Sequence, residues 1–371
     1  MKNRVILGLA GVLLLLSGCT RAATPGWGGL TGEGGVAYSV SSDRKVAAVD
    51  LRSQTEEWSH TMGGAPGGGC TPAPKVTVYA PPLVTRGKVY IATYEGEVWA
   101  LNPAARKSGA DFPSLAQGEW VYPPKGKSAL GGLVGEMATD GDTIYLGSSD
   151  GHVYGMDAAS GDIKWKFKTE DKVWSAPLIS GSVVYATSFD GKLYALSASD
   201  GRKLWDFTAP AAIASPPAVS GDTIFFGTFS NEFFAVNNKG AELWRFQAGN
   251  WIWARPLATQ TTVYAASLDG KLYALDARSG SPQWSFDSQA PIAVPPLLIG
   301  DTLVVANKKG TVSIVSTRDG KMEREVRLST EVVNPLVSYE GTVYIKGINN
   351  RIYAVDISQG RIVWEYPQGG K

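Results

Sequence analysis

Few residues in this chain have the types and the spacing that catalysis or metal binding would need. The 371-residue sequence has two His residues, His60 and His152, and two Cys residues, Cys19 and Cys70. Neither His has a Cys or a second His at metal-ligand spacing, so a zinc site or a His-based catalytic pair lacks support. We therefore predict no catalytic residues and no metal site, and we expect the protein not to be an enzyme.

A second set of residues has the composition of a recognition site. Trp253 has Trp251 two residues before it and Arg255 two residues after it. Large aromatic side chains near an Arg are typical of sites that recognise peptides or flat ligands. Position 253 belongs to a repeat, in which four of the eight equivalent positions are large and four are small: Trp27, Tyr79, Val134, Trp174, Ala214, Trp253, Ala293 and Val333.

The repeat that carries these positions is about 40 residues long. A turn dipeptide recurs eight times, and its last six copies follow one another at steps of 40, 40, 39, 40 and 40 residues. The dipeptides are Asp43-Arg44, Glu95-Gly96, Asp150-Gly151, Asp190-Gly191, Ser230-Asn231, Asp269-Gly270, Lys309-Gly310 and Asn349-Asn350. Seven copies also have a Trp near their end, at Trp58, Trp120, Trp165, Trp205, Trp244, Trp284 and Trp364, whereas the seventh copy has Arg324 instead.

One copy, residues 173–208, indicates how each repeat folds. Alternating apolar runs are separated by Asp190-Gly191 and Asp200-Gly201, which are typical of tight turns between antiparallel strands. The predicted strands are residues 176–179, 183–187, 192–196 and 203–207. A four-stranded meander leaves an apolar face that it cannot cover alone, so each copy needs neighbours like itself.

Eight such copies predict an all-β fold, an eight-bladed β-propeller of four-stranded antiparallel blades, because radial closure leaves only short sheet edges exposed. If the first strand of each blade lies at the axis, the links between blades and the turns between second and third strands share one face. The equivalents of position 253 then surround one mouth of the axial channel. They could plug the axis or bind a partner, and the sequence leaves both open. The mode of ring closure also stays open, although each repeat is complete and needs no strand exchange.

The recurring Trp and Asp-Gly residues have architectural interpretations. Each Trp is expected to fill the gap between adjacent blades and to donate its N–H to a neighbouring backbone carbonyl. The second residue of each turn needs a positive φ, which Gly supplies, so turn geometry explains the Asp-Gly pairs better than Ca²⁺ binding does. These residues therefore build the fold rather than a site.

The composition fits one repeat domain and excludes one class of partner. The 44 Gly, 21 Pro and 12 Trp residues suit many short strands joined by tight turns. Lys and Arg number 35 against 34 Asp and Glu, which gives a net charge of +1. A nearly neutral chain does not attract nucleic acid electrostatically, so we expect no nucleic-acid partner.

The N-terminus is typical of an export signal. Basic residues precede a twelve-residue apolar run, residues 5–16, and small residues then lead to Cys19. Twelve residues span about 18 Å as a helix, well short of the roughly 30 Å bilayer core, so cleavage is favoured over a permanent transmembrane helix.

The sequence LSGC at residues 16–19 resembles the bacterial lipoprotein lipobox, which implies cleavage before Cys19 and lipid attachment to its sulfur. We expect a lipoprotein signal peptide over residues 1–18, a lipidated tether over 19–26 and the propeller over 27–368. Because Thr20 rather than Asp follows Cys19, the resemblance implies the periplasmic face of the outer membrane in a Gram-negative host, and the cell surface otherwise. Cys70 then remains as a lone thiol, which cannot form an intramolecular disulfide.

Four segments point to a family: MDAASGDIKW at 156–165, ALSASDGRKLW at 195–205, ALDARSGSPQW at 274–284 and AVDISQGRIVW at 354–364. They resemble the A-x-D-x-x-T-G-x-x-x-W repeat of quinoprotein-type propellers. That family includes PQQ-dependent alcohol and glucose dehydrogenases and also cofactor-free, BamB-like lipoproteins of outer-membrane β-barrel assembly. Two copies depart from the pattern, since AVNNKGAELW is one residue short and IVSTRDGKMER lacks the Trp. These departures predict that blades 5 and 7 are not fully regular, but they leave the architecture unchanged.

The resemblance implies a binding function, closest in plan to the BamB-like lipoproteins. We expect a lipid-anchored scaffold whose partners are envelope proteins such as a β-barrel assembly machinery, with no cofactor. Quinoprotein dehydrogenases hold PQQ and Ca²⁺ at such an axial mouth, but they are usually much longer and commonly have a vicinal Cys pair. Here the sequence offers only isolated candidate metal ligands, such as Glu136 and Asn334, and no complete set. A PQQ-dependent dehydrogenase and a surface module for a small ligand or glycan remain the alternatives.

Overall fold

The computed structural model describes residues 28–41, 44–62, 76–107 and 119–367. In these ranges the chain forms eight four-stranded antiparallel sheets and one short helix. The strands of every sheet pair in chain order, so each blade is a simple meander. The predicted all-β, eight-bladed propeller is confirmed.

The first four blades contain strands β1 to β16 and helix α1. Blade 1 consists of β1 Leu30–Glu33, β2 Val36–Val40, β3 Lys45–Asp50 and β4 Thr55–Thr61. Blade 2 consists of β5 Leu83–Thr85, β6 Lys88–Ala92, β7 Val98–Leu101, α1 Pro103–Lys107 and β8 Trp120–Tyr122. Blade 3 consists of β9 Ala138–Thr139, β10 Thr143–Gly147, β11 His152–Asp157 and β12 Ile163–Lys168. Blade 4 consists of β13 Leu178–Ser180, β14 Val183–Thr187, β15 Lys192–Ser197 and β16 Lys203–Thr208.

The last four blades contain strands β17 to β32. Blade 5 consists of β17 Ala218–Ser220, β18 Thr223–Gly227, β19 Glu232–Asn237 and β20 Glu242–Gln247. Blade 6 consists of β21 Leu257–Ala258, β22 Thr262–Ala266, β23 Lys271–Asp276 and β24 Pro282–Asp287. Blade 7 consists of β25 Leu297–Ile299, β26 Thr302–Ala306, β27 Thr311–Ser316 and β28 Met322–Arg327. Blade 8 consists of β29 Val337–Tyr339, β30 Thr342–Lys346, β31 Ile352–Asp356 and β32 Arg361–Tyr366.

Blade 4 follows the predicted strands closely, with two differences. Its first strand, β13, begins two residues later than predicted, and β13, β15 and β16 each end one residue later than predicted. The second residue of the turn dipeptide has positive φ in all eight blades, as the turn interpretation requires. These residues are Arg44, Gly96, Gly151, Gly191, Asn231, Gly270, Gly310 and Asn350.

Each fourth-strand Trp lies opposite a small residue of the third strand. Trp205 pairs with Ala195, and Trp165 pairs with Gly155. A Cβ added to Gly155 would lie 2.4 Å from the indole of Trp165, which shows how closely the ring lies against this position. In blade 7, where Arg324 replaces the Trp, its partner is the larger Ile314. The Trp and its small partner thus change together.

The same indole contacts the next blade. The Nε1 of Trp165 donates to the carbonyl of Ala198 in blade 4 at 2.9 Å. Equivalent bonds to the following blade are made by Trp120, Trp205, Trp244 and Trp284. The predicted position of the Trp between blades is therefore confirmed for these five. The buried Nε1 atoms of Trp58 and Trp364 have no acceptor among the described residues.

The Asp of an Asp-Gly pair ties its turn to the segment that leads into the same blade. The Asp269 carboxylate accepts from the backbone N–H of Lys271 at 2.8 Å, from that of Gly249 at 2.9 Å and from the Tyr273 hydroxyl at 2.6 Å. Burial and this last bond raise the pKa of Tyr273 to about 12, so the phenol stays a donor at neutral pH. The same three contacts recur at Asp150 and Asp190. The links and these turns therefore share one face, as predicted.

Blade 8 closes the ring against blade 1 by side-chain contacts. The Tyr344 hydroxyl donates to the Leu51 carbonyl at 3.0 Å, and Arg52 pairs with Glu340 at 2.9 Å. The buried ammonium of Lys346 donates to backbone carbonyls of blade 1. All four strands of each terminal blade come from one continuous segment, so the described residues contain no strand exchange.

The expectation that blades 5 and 7 would be irregular is wrong, because both have four strands in the standard register. In blade 5 the missing residue only shortens a turn, so that the N–H of Asn237 bonds to the carbonyl of Ala241. In blade 7 the carbon chain of Arg324 takes the place of the indole, since a Cβ on Gly360 would lie 3.0 Å from its Cδ. An aliphatic stem can cover apolar surface while its charge stays in water.

We expect Gly201→Ala to reduce the free energy of unfolding by about 2–4 kcal/mol. Gly201 has a φ of 71°, and an added Cβ would lie 2.4 Å from the indole of Trp165. Gly181→Ala is the matched control, because Gly181 has a φ of 58° but no atom within 4 Å of an added Cβ. It should cost only about 1 kcal/mol. Urea unfolding of both variants measures the difference, and equal losses would contradict the contact.

Candidate binding site at the axial mouth

A cavity of about 160 Å³ lies at one mouth of the axial channel. Seven of the eight positions that the repeat alignment grouped together line it: Tyr79, Val134, Trp174, Ala214, Trp253, Ala293 and Val333. The eighth, Trp27, lies outside the described residues, as do Cys19 and Cys70. The alignment thus brings residues of seven blades to one place, where they line a cavity rather than fill it.

Arg255 also lines this cavity and forms an ion pair across it. Its Nη2 lies 3.3 Å from Oε2 of Glu136. Arg255 belongs to the segment before blade 6 and Glu136 to the segment before blade 3, so the pair joins blades that are not neighbours. The two side chains are 30% and 33% exposed, and solvent screening therefore keeps the energy of the pair modest.

The donor groups in the cavity do not match a calcium and quinone site. Its carboxylate and amide oxygens come from Glu136, which is paired with Arg255, and from the buried side chain of Asn334. Ca²⁺ takes about six to eight oxygen ligands, so one paired carboxylate and one amide fall short. Within the described ranges no three His, Cys, Asp or Glu side chains come together as a metal site.

Five aromatic side chains from blades 4, 5 and 6 form a connected set at the edge of the cavity, here called the aromatic row: Trp174, Phe189, Phe229, Trp251 and Trp253. Phe189 lies edge-to-face with Trp174 at 5.0 Å between ring centroids and with Phe229 at 5.4 Å. Phe229 in turn stacks on Trp251 at 4.5 Å and on Trp253 at 5.8 Å. Trp251 is 41% exposed and does not line the cavity, although its position two residues before Trp253 predicted a place at the mouth.

Phe189 and Phe229 were missed by the sequence analysis. Each stands immediately before the turn dipeptide, in the connection between the second and third strands. The same position in other blades holds Tyr94, Ser149, Leu268, Lys308 and Ile348. A comparison of this position across the repeats finds them. Other blades have polar or charged side chains there, so the fold does not require an aromatic ring at this position.

Backbone hydrogen bonds hold the row in place. The N–H of Phe189 donates to the carbonyl of Lys172 at 3.0 Å, and the N–H of Phe229 donates to the carbonyl of Ala212 at 3.0 Å. The indole N–H of Trp174 donates to Oγ of Ser149 in blade 3 at 2.8 Å. These bonds join the turns that carry Phe189 and Phe229 to the links before their blades, and the indole of Trp174 to blade 3.

Lys172 places one positive charge on the row. Its Nζ lies 4.4 Å from the ring centroid of Trp174 and 4.5 Å from that of Phe189. Such cation–π contacts contribute about 0.5–2 kcal/mol. Within the described part of the chain Lys172 forms no ion pair, and two aromatic rings contact its ammonium.

The two His residues lie apart from this arrangement. His60 lies in the outer strand β4, and His152 begins β11 with its Nδ1 3.1 Å from Oδ1 of Asp150. That carboxylate also accepts from the N–H of Gly131 and the hydroxyl of Tyr154, so the contact belongs to the turn. Among the described residues no helix combines the length and the hydropathy needed to span a bilayer.

Sequence comparison matches residues 114–215 and 208–371, more than half of the chain, to the family described as outer membrane protein assembly factor BamB. Proteins of that name from Bordetella pertussis and Yersinia pestis are 27% and 30% identical to it over 123 and 144 residues. These alignments cover 33% and 34% of this chain, and 32% and 36% of the two proteins. The chain thus spans about a third of the length of the curated relatives it matches.

Solved structures show the same fold. BamB from Moraxella catarrhalis superposes with a TM-score of 0.69 over 92% of this chain and 95% of its own. The computationally designed protein Ika8 superposes with a TM-score of 0.70 over 88% of this chain and 94% of its own. Both are 15% identical to this chain, so these likenesses concern the fold alone.

Removal of a Trp that lies between blades should lower stability more than removal of a Trp of the aromatic row. Trp244 is buried and bonds to Ala277 in the next blade, so Trp244→Ala should cost about 3–5 kcal/mol of unfolding free energy. Trp251→Ala removes an exposed ring and its stack on Phe229, which should cost at most about 1.5 kcal/mol. Thermal and urea unfolding compare the two, and a larger loss at Trp251 would show that the row supports the fold.

Proposed function

The chain belongs to the family of the outer membrane protein assembly factor BamB, and on that premise we propose that it is a non-catalytic, lipid-anchored scaffold for outer-membrane protein assembly. The observation that carries the proposal is the family match over residues 114–371. The paired state of Glu136 and the poor donor set around it support binding rather than quinone chemistry. The proposed partners are envelope proteins, including a β-barrel assembly machinery.

The proposed contact surface is the ring face that holds the axial mouth and the aromatic row. Aromatic and Arg side chains contribute most of the binding energy at protein interfaces. Tyr79, Trp174, Trp253 and Arg255 are at the cavity, and Trp251 is exposed beside it. Trp27 is proposed to complete the set at the eighth repeat position.

The proposed membrane attachment depends on Cys19. We expect Cys19→Ser to lose the lipid label and to move from the membrane to the soluble periplasmic fraction, because its sulfur carries the proposed acyl group. Cys70→Ser is the matched control and should stay in the membrane. Metabolic labelling with a fatty acid, followed by fractionation, measures both. A Cys19→Ser protein that remains labelled and membrane-bound would contradict the anchor.

Affinity capture from detergent-solubilised membranes tests the partner. The wild-type protein should recover a protein of the β-barrel assembly machinery, and a Trp253→Ala, Arg255→Ala double variant should recover at least about fivefold less. Leu243→Ala is the control, since Leu243 is 49% exposed on the outer strand β20, away from the mouth. If the wild type recovers no assembly protein, the scaffold proposal fails.

The same preparation tests the absence of catalysis and of a cofactor. Purified protein is incubated with PQQ and Ca²⁺ and assayed with alcohols and sugars in the presence of an electron-accepting dye. A tightly bound quinone chromophore together with turnover would overturn the non-catalytic proposal.

A further inference from the structure

We infer that the aromatic row docks an extended polypeptide segment that has aromatic or aliphatic side chains on one side and a carboxylate at the end near blade 4. This inference deepens the proposed scaffold function and rests on it. It names the chemistry of what the ring face would hold.

The first support is that the fold does not require these aromatic residues. Where blade 5 has Phe229, blade 7 has Lys308 and blade 3 has Ser149, yet all three blades have the same strands and turn. Where blade 6 has Trp253, the equivalent residues of blades 5 and 7 are Ala214 and Ala293. The repeats are therefore internal controls, and they show that the row is additional to the architecture.

The row is long enough for a short extended segment. Successive ring centroids from Trp174 through Phe189 and Phe229 to Trp251 are 5.0, 5.4 and 4.5 Å apart. Side chains on one face of an extended segment repeat about every 6.6 Å. Two or three such side chains can therefore lie along the row, each against the edges of neighbouring rings.

The charge on the row indicates the partner's polarity. Lys172 stands at the blade 4 end, over the rings of Trp174 and Phe189, and forms no ion pair with any residue that the structure describes. The adjacent Asp171 carboxylate accepts the backbone N–H of Lys172 rather than its ammonium. At the opposite end Arg255 is already neutralised by Glu136. A carboxylate on the bound segment would therefore pair with Lys172, at the blade 4 end of the row.

Glycans and lipids fit the row less well than a polypeptide does. Sugar recognition uses open ring faces with free donors around them, but the indole N–H of Trp174 is bonded to Ser149 and Phe229 is covered by stacking. A membrane surface would be drawn by several exposed cations, whereas the row has Lys172 alone as an unpaired one among the described residues. A polypeptide needs only the rings and one cation.

The test uses purified full-length protein and a capped, fluorescein-labelled peptide that alternates Phe and Thr and ends in Asp. Binding measured by fluorescence anisotropy should weaken at least tenfold in a Trp251→Ala, Phe229→Ala double variant, as is common for aromatic hot spots. Lys308→Ala, at the same turn position in blade 7, should bind like the wild type. Circular dichroism of each variant confirms that the ring is folded.

The contact between Lys172 and the carboxylate of the bound segment is tested by one change in the protein and one change in the peptide. Lys172→Gln should weaken binding of the Asp peptide about threefold or more at low salt, but should leave binding of an otherwise identical Asn peptide unchanged. Equal effects on both peptides would overturn the charge assignment. The docking inference fails if the double variant binds the peptide as well as the wild type does. It also fails if the protein binds phosphatidylglycerol vesicles or glycan strands instead of the peptide.

The two proposals can fail separately. If the peptide does not bind but membranes still yield an assembly-machinery protein, the scaffold function stands and the docking inference fails. If the peptide binds as expected but no assembly protein is recovered, the row is a polypeptide site and the scaffold function fails.

Discussion

The contact between the Trp of one blade and the third-to-fourth turn of the next is the interaction on which the ring depends. A four-stranded blade cannot cover its own apolar faces, and its core forms against its neighbours, as in the cluster that joins Tyr145 and Val153 to Val184 and Tyr194. The indole fixes how closely adjacent blades approach, and the small residue opposite it gives it room. Because the ring must close after eight blades, this spacing has to be nearly constant, and variation is confined to the connections.

This constraint divides the aromatic residues into two groups. Those that recur at a fixed place in the outer strand belong to the architecture, and five of them, Trp205 among them, donate to the next blade. Those that vary, such as Trp174 and Phe229, lie on the face where the links and the second-to-third turns meet. Repetition therefore separates residues that the fold needs from residues that selection for binding could place freely.

The number of blades and the residues around the mouth could be predicted from the sequence, because the turn spacing and the repeat alignment are read directly from it. It was not sufficient for the Arg255–Glu136 pair, since 119 residues separate the two and only the closed ring brings them together. Helix α1 was missed because it lies in a non-repeated loop. The doubt about blade 7 was wrong because the loss of a Trp was judged alone, although Ile314 opposite Arg324 shows a paired change.

The ion pair across the mouth has a mechanical consequence. A ring in which each blade contacts only its two neighbours can deform into an ellipse by small rotations at every interface, with little loss at any one of them. A link between blade 3 and blade 6 opposes that deformation along the line that joins these two blades, by no more than the modest energy of a solvent-screened pair, and leaves the perpendicular direction without such a link. The mouth would then change shape along a preferred direction, and the positions of Glu136 and Arg255 in the ring determine that direction.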